Sequence, residues 1–277
     1  KQTFYQKCWG GESIHVGIYL DDYKDNMEQQ SLGDYIKNAS KFKSTVMANL
    51  VKSYMVSNNL MYNGNGNKIK FKVADWGSGY GGTARTLSKL YGDTIDMSIF
   101  CYDLSDKNCE YNGKINNYEQ YSNITIYNQS FLEITNPWFD IIYSEDAFVH
   151  INEKQKIFDQ AYKNLNSQGH FIFSDIILKE GGECTQETLD EICRRINVET
   201  VGSKSLYLEC AQNAGFTLAN VIEYNDDIKK HYKYIRQFYL ENEPKELRSD
   251  DIVSGLEDWI KHAEDENITM VIFIFKK

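Results

Sequence analysis

No window of the chain approaches 18 consecutive apolar residues, which excludes a membrane-spanning helix from the reading. No basic stripe exists either: 30 lysines and arginines stand against 40 acidic residues, for a formal net charge of −10. That balance argues against a partner held by its phosphate backbone, so nucleic acid is not expected. The six cysteines, Cys8, Cys101, Cys109, Cys184, Cys193 and Cys210, include no C-x-x-C pair and no metal-ligand spacing. Reduced thiols are expected, without a disulfide framework or a metal site. The opening residues Lys1-Gln2-Thr3-Phe4 lack the basic-then-apolar profile of a secretory signal, and a soluble cytoplasmic protein is the expectation. There is no internal repeat, and the one biased stretch, Asn63-Gly64-Asn65-Gly66-Asn67, reads as a loop into the core.

What is present is enough chain, 277 residues, for one α/β domain with additions. Short apolar runs alternate with helical patterns from about 69 to 179, as right-handed βαβ units require. The pattern predicts strands over 69–74, 96–102, 124–128, 139–143 and 170–174, with helices over 83–91, 106–119 and 153–164. Beyond Asp175 it predicts helices over 185–196 and 205–213, a strand over 216–223, helices to 262 and a closing strand over 269–275. The last two strands are expected to pair antiparallel at an edge. The expected fold is therefore a doubly wound, mostly parallel, seven-stranded α/β sheet in a single domain. Within it, 1–66 forms an N-terminal cap, 67–180 a cofactor-binding core, 181–265 a helical lid with further helices, and 266–277 the closing strand.

The most informative stretch runs Val73-Ala74-Asp75-Trp76-Gly77-Ser78-Gly79-Tyr80-Gly81-Gly82-Thr83-Ala84. It reads as strand, glycine turn and helix start, where bare backbone and unpaired N–H groups meet a ligand. Gly77, Gly79 and Gly82 satisfy G-x-G-x-x-G, a weak dinucleotide signal on its own. Asp75, two positions before Gly77, puts a buried carboxylate where a pyrophosphate binder keeps an apolar residue, and suits a cationic ligand instead. S-adenosylmethionine carries a sulfonium and an ammonium, and D-x-G-x-G at such a turn resembles motif I of the class I methyltransferases. A nicotinamide-dependent oxidoreductase and a glycine turn of some other α/β protein remain as alternatives.

Further candidates stand at strand ends, where open α/β sheets bind ligands. Asp103 ends the second strand and has the chemistry to accept both ribose hydroxyls, or to cap the next helix as Ser105 also would. Asn128-Gln129-Ser130-Phe131-Leu132-Glu133 offers a polar group and an aromatic for an adenine. Tyr143-Ser144-Glu145-Asp146-Ala147-Phe148-Val149-His150 places two carboxylates and an imidazole together. Asp146 or His150 would orient or deprotonate a nucleophile, the alternative for His150 being a hydrogen-bonded core histidine. Near the N-terminus, Trp9 and Tyr19 are aromatic faces for a methylated ammonium or the sulfonium, or else simple packing groups.

Taken together, the chain resembles the sarcosine/dimethylglycine N-methyltransferases over nearly its whole length. The segments that carry the resemblance are WGGESIHVGIY at 9–19, DWGSGYGGTAR at 75–85, SFLEI at 130–134, SEDAFVH at 144–150 and GSKSLYLECAQNAGF at 202–216. The resemblance implies that His15, Gly17, Gly77, Ser78, Gly79, Asp103, Leu104, Ser130, Phe131 and Ser144 contact the cofactor. It implies that Trp9, Tyr19, Asp146 and lid residues face the acceptor. The family's acceptors carry a carboxylate, for which Arg194 or Arg195 is the candidate cation, with an exposed arginine pair as the alternative. Two departures concern the acceptor more than the cofactor: 105–109 is poor in basic residues, and Asp175-Ile176 lacks a proline at its strand end. The expected reaction is methyl transfer from S-adenosylmethionine to the amine of sarcosine or dimethylglycine, towards betaine, with Asp146 and His15 or His150 directing the proton. A small-molecule O- or C-methyltransferase and a catalytically silent cofactor-binding protein are the competing readings.

Overall fold

The structure is a computed structural model. It describes residues 8–9, 11–21, 30–57, 69–135, 138–180 and 185–277; the Asn63–Asn67 loop and Cys184 lie outside these. The strands are β1 Phe71–Trp76, β2 Met97–Asp103, β3 Ile124–Asn128, β4 Phe139–Glu145, β5 Leu165–Leu178, β6 Thr217–Tyr224 and β7 Ile268–Lys276. They form one seven-stranded sheet in the order β3-β2-β1-β4-β5-β7-β6. Strands β1 to β5 pair parallel, while β7 runs antiparallel between β5 and β6. Strand order reverses between β1 and β4, the switch point at which such sheets open a crevice beyond their carboxyl ends.

The helices are α1 Leu32–Ser57, α2 Gly82–Tyr91, α3 Asp106–Tyr118, α4 Lys154–Asn164, α5 Gln186–Ile196, α6 Lys204–Ala214, α7 Asn225–Asn242 and α8 Asp250–Glu264. Side-chain parity along each strand sorts them into layers. Phe171, Phe173, Phe273 and Phe275 face one side, where Phe158 of α4 and Tyr207 of α6 bury against them. Ile172, Ile272 and Ile274 face the other, against Met47 and Val51 of α1 and Leu87 of α2. A third cluster joins α5, α7 and α8 to Trp9, Val16, Ile18 and Ile36, and forms a cap at the carboxyl end of the sheet.

Two boundaries differ from the sequence reading in an instructive way. β5 continues through Asp175 to Leu178, because that buried carboxylate accepts from the Val149 N–H at 3.0 Å and from the Tyr207 hydroxyl, so burial costs it no hydrogen bond. And α6 packs on α4 against the sheet rather than over the crevice, so the cap is made of α5, α7 and α8.

Candidate active site

The turn after β1 is built on positive φ angles, 74° at Gly77 and 53° at Gly79. Gly77 and Ser78 both donate to Tyr102 O, which ties the turn to β2. A Cβ at Gly79 would meet nothing within 4 Å, so its backbone lies bare to the cavity it lines. That cavity measures about 490 Å³ and is walled by the turn, the end of β4, the N-terminal segment and the cap.

Of the residues singled out from sequence, Trp9, His15, Gly77, Gly79, Asp103, Asp146, His150 and Arg195 line this cavity. Asp75 and Ser78 line a smaller adjoining recess with His15, Gly77 and Gly79. Asp103 Oδ2 accepts from the Gly79 N–H at 2.8 Å, and Oδ1 from the Ser105 N–H at 2.8 Å and Asn108 Nδ2 at 3.2 Å. Three of a carboxylate's roughly four acceptor positions are thus taken, leaving room for one hydroxyl rather than the two expected. The helix cap is Ser105, which accepts from the Asn108 N–H. Burial raises Asp103 above its ordinary range against the pull of the Ser105, Gly79 and Asn108 hydrogen bonds. Leu104, 74% exposed, sits at the rim between two cavity-lining neighbours.

Other expected contacts lie elsewhere. Gly17 donates its N–H to His231 Nδ1 at 3.2 Å and is packed against Ala39. Tyr19 donates its hydroxyl to the same nitrogen at 2.8 Å, in a cluster with Tyr35 and Tyr234. Ser130 caps a short 3₁₀ turn, and Phe131 stacks on Trp76 with centroids 4.8 Å apart, inside the core. Ser144 donates to Trp76 O at 2.6 Å. None of these six side chains or backbones, Gly17, Tyr19, Ser130, Phe131, Ser144 or Arg194, lines the cavity. Arg194 instead pairs with Asp258 at 2.9 Å on the surface.

The sharpest correction concerns Asp146, expected to move a proton. Its carboxylate accepts from Lys43 Nζ at 2.7 Å on both oxygens, from the Val16 N–H at 2.9 Å and from the Ser174 hydroxyl at 2.6 Å. Burial pushes its pKa up, but Lys43 and His15 and the Lys43 and Ser174 hydrogen bonds outweigh this and hold it below the ordinary range. A saturated, ionised carboxylate is a holding group for the N-terminal segment, not a proton acceptor. His15 Nε2 lies 3.1 Å from Ser44 Oγ and 3.6 Å from Glu145 Oε2, its other nitrogen faces the Val16 carbonyl at 3.3 Å, and burial lowers its pKa against the pull of Glu145. His150 is exposed at the cavity mouth, not a core histidine.

Sequence reasoning missed Lys43, although its spacing from Ala39 and Met47 puts it on the buried face of α1. It also gave no role to Glu145, or to Tyr232 and Trp259, the cap aromatics on which the Arg195 guanidinium lies at 5.1 and 5.3 Å from the ring centroids.

The methyltransferase-domain family model matches residues 67–239, from the strand before the glycine turn into α7. This chain belongs to the class I S-adenosylmethionine-dependent methyltransferases. The match displaces the oxidoreductase alternative, as the position of Asp75 had favoured. The enzyme is 26% identical to a sarcosine/dimethylglycine N-methyltransferase of Halorhodospira halochloris, over 99% of this chain and 91% of that protein. It is also 26% identical to one of Aphanothece halophytica, over 99% and 92%. A solved structure from Galdieria sulphuraria described as a sarcosine dimethylglycine methyltransferase superposes with a TM-score of 0.80 at 27% identity, covering 99% of this chain and 97% of that one. The residues at the methyltransferase's crevice fit the cofactor: bare backbone at Gly79, an acceptor at Asp103, and buried Ser78 Oγ and Glu145 Oε1 without hydrogen-bond partners.

Proposed function

We propose that the enzyme methylates the amine nitrogen of a small amino acid of the sarcosine or dimethylglycine type, with betaine as the fully methylated product. The observation that carries this reading is Arg195. Its guanidinium lines the cavity over two aromatic faces, its Nε has no hydrogen-bond partner, and no carboxylate pairs with it among the described residues. In a chain of net charge −10 such a cation is suited to an acidic group brought by the substrate. The names of the relatives point to the same acceptors.

Bound S-adenosylmethionine supplies an electrophilic methyl group, transferred as a new N–C bond forms and the S–C bond breaks. The protein's part is alignment and exclusion of water. Arg195 anchors the acceptor carboxylate, Trp9, Tyr232 and Trp259 cover its methylated nitrogen, and Asp146 holds the Val16 backbone beside the site. The nitrogen must present a lone pair, and His150, exposed at the cavity mouth, is placed to take its proton. The test is incubation of purified enzyme with the methyl donor and sarcosine or dimethylglycine, following S-adenosylhomocysteine and the product mass. Stoichiometric product supports the reading; donor binding without turnover of either acceptor overturns it.

A further inference from the structure

A second cavity, of about 370 Å³, shares Trp9 with the active-site cavity. Consecutive stretches of the N-terminal segment line the two, Gly11, Glu12 and Ser13 the second and Ile14, His15 and Val16 the first. Four cations face the second cavity as two pairs at i, i+4, Lys37 with Lys41 on α1 and Arg85 with Lys89 on α2. Like charges at that spacing repel. None of the three lysines makes an ion pair among the described residues. Arg85 is 3% exposed, and its guanidinium is held by Asn112 Oδ1 at 2.8 Å, Asn116 Oδ1 at 2.9 Å and the Tyr80 carbonyl. Its remaining edge meets Glu12 Oε2, at 2.8 Å from Nε and 2.7 Å from the adjacent nitrogen, and the Glu12 side chain is 37% exposed. The other lining carboxylate, Glu119, lies against the Tyr121 hydroxyl. Four positive charges thus meet two negative ones in a concavity of a chain whose net charge is −10, and such focusing attracts a counter-charge from solution.

We propose that this cavity is a second ligand site, which takes a small multivalent anion of the phosphate or polycarboxylate kind, and that the anion competes with Glu12 for the Arg85 guanidinium. A metal ion or methylated ammonium is repelled there, and a nucleic acid needs a charged track longer than this cavity. A fixed guanidinium flanked by mobile lysines suits a ligand with several charged oxygens. Glu12 is the partner that yields, because Arg85 is buried on three further acceptors and Glu12 is partly in solvent. Release of Glu12 loosens the segment whose next residues wall the active site, so the anion and the methyl donor weaken one another. The anion site stands without the cofactor reading; the linkage rests on it.

Calorimetric titration with pyrophosphate and with citrate, at ionic strength held constant with chloride, tests the site in wild type, Lys37→Gln/Lys89→Gln, Glu12→Gln and Arg195→Ala, each checked for folding by a thermal melt. One anion per chain is expected in wild type. The double lysine variant should bind it at least about tenfold more weakly, as for lost charge-assisted hydrogen bonds, and Glu12→Gln about three- to tenfold more tightly, its competitor being gone. A preference for either probe supports the site and tells a phosphate ligand from a polycarboxylate one. No saturable binding by wild type overturns the proposal, as does equal binding by the folded lysine variant. Binding lost in Arg195→Ala instead belongs to the acceptor cavity and overturns it too. Saturating anion should weaken S-adenosylhomocysteine binding by about fivefold or more, and an unchanged affinity overturns the linkage. If anion-free wild type does not bind S-adenosylhomocysteine, the cofactor reading falls and the linkage with it, while the anion titration stands on its own.

Discussion

Lys43 Nζ lies 2.7 Å from both carboxylate oxygens of Asp146, with side-chain exposures of 0% and 7%. The pair joins the middle of α1 to the turn after β4, where Asp146 is held at a φ of 51° that side chains other than glycine rarely adopt. Through the Val16 N–H, the same carboxylate also anchors the N-terminal segment that walls the cavity. One ion pair therefore ties two walls of the site, the turn after β4 and the N-terminal segment, to α1.

Lys43→Met is expected to destabilise the enzyme by about 3–5 kcal/mol, because it leaves Asp146 charged, buried and short of two donors. Urea unfolding measures this. Adding Asp146→Asn to Lys43→Met should recover part of the loss, since no uncompensated charge then remains. A loss under about 1 kcal/mol for Lys43→Met alone would show that the pair does not hold the turn.

Two buried acids should make stability fall as pH rises. Burial, opposed by the Tyr143 hydrogen bond and reinforced by Glu145 and Asp103, pushes the Asp75 carboxyl up to about 8. Asp175 is pushed up to about 6 by burial, against Lys154 and the Tyr207 hydrogen bond. The folded state binds these protons more tightly than the unfolded state, whose aspartates ionise near pH 4. Their stabilising effect is full below about pH 4; it is lost by about pH 6 for Asp175 and by about pH 8 for Asp75. Asp146, with its lowered pKa, acts with the opposite sign only below about pH 4. Buried His15, His170 and His231, whose pKa values burial lowers, act with the opposite sign below about pH 6.5. Melting temperatures of the unliganded enzyme should therefore decline between about pH 6.5 and 8, and Asp75→Asn should flatten that decline. An unchanged slope in that variant would assign the titration to another group.

The two adjacent arginines should separate cleanly. Arg195→Ala removes the cavity cation and is expected to raise the acceptor KM by about ten- to hundredfold, the worth of a charge-assisted hydrogen bond, with little change in cofactor affinity. Arg194→Ala breaks a surface pair with Asp258 and should change KM by less than about twofold. Steady-state kinetics with sarcosine and dimethylglycine reads both, and equal effects would remove Arg195 from the acceptor site.

Legibility followed the range of the interactions involved. The glycine turn at 77–82 and the carboxylate of Asp103 were readable because strand, turn and helix start are local, and their order in the chain is their order in space. Ser130 and Phe131 sit where the pattern put them along the chain, but Phe131 turns onto Trp76 and into the core, since stacking and burial reward that orientation. Arg194 and Arg195 are indistinguishable in sequence. A rotation of one residue about α5 sends one to Asp258 and the other to Tyr232 and Trp259.

By itself, then, the sequence determined the alternation of strands and helices, the ligand-binding turn, and the presence of a buried acid at Asp75, all of which rest on local propensity and periodicity. Only the tertiary structure decided that Asp146 is saturated, that Glu145 keeps an unpaired oxygen, and that Arg195 faces the cavity. Those properties depend on which groups from distant segments, Lys43, Thr83, Tyr232 and Trp259 among them, come within about 3–6 Å. Hydrogen bonding and burial act at that range whatever the separation along the chain.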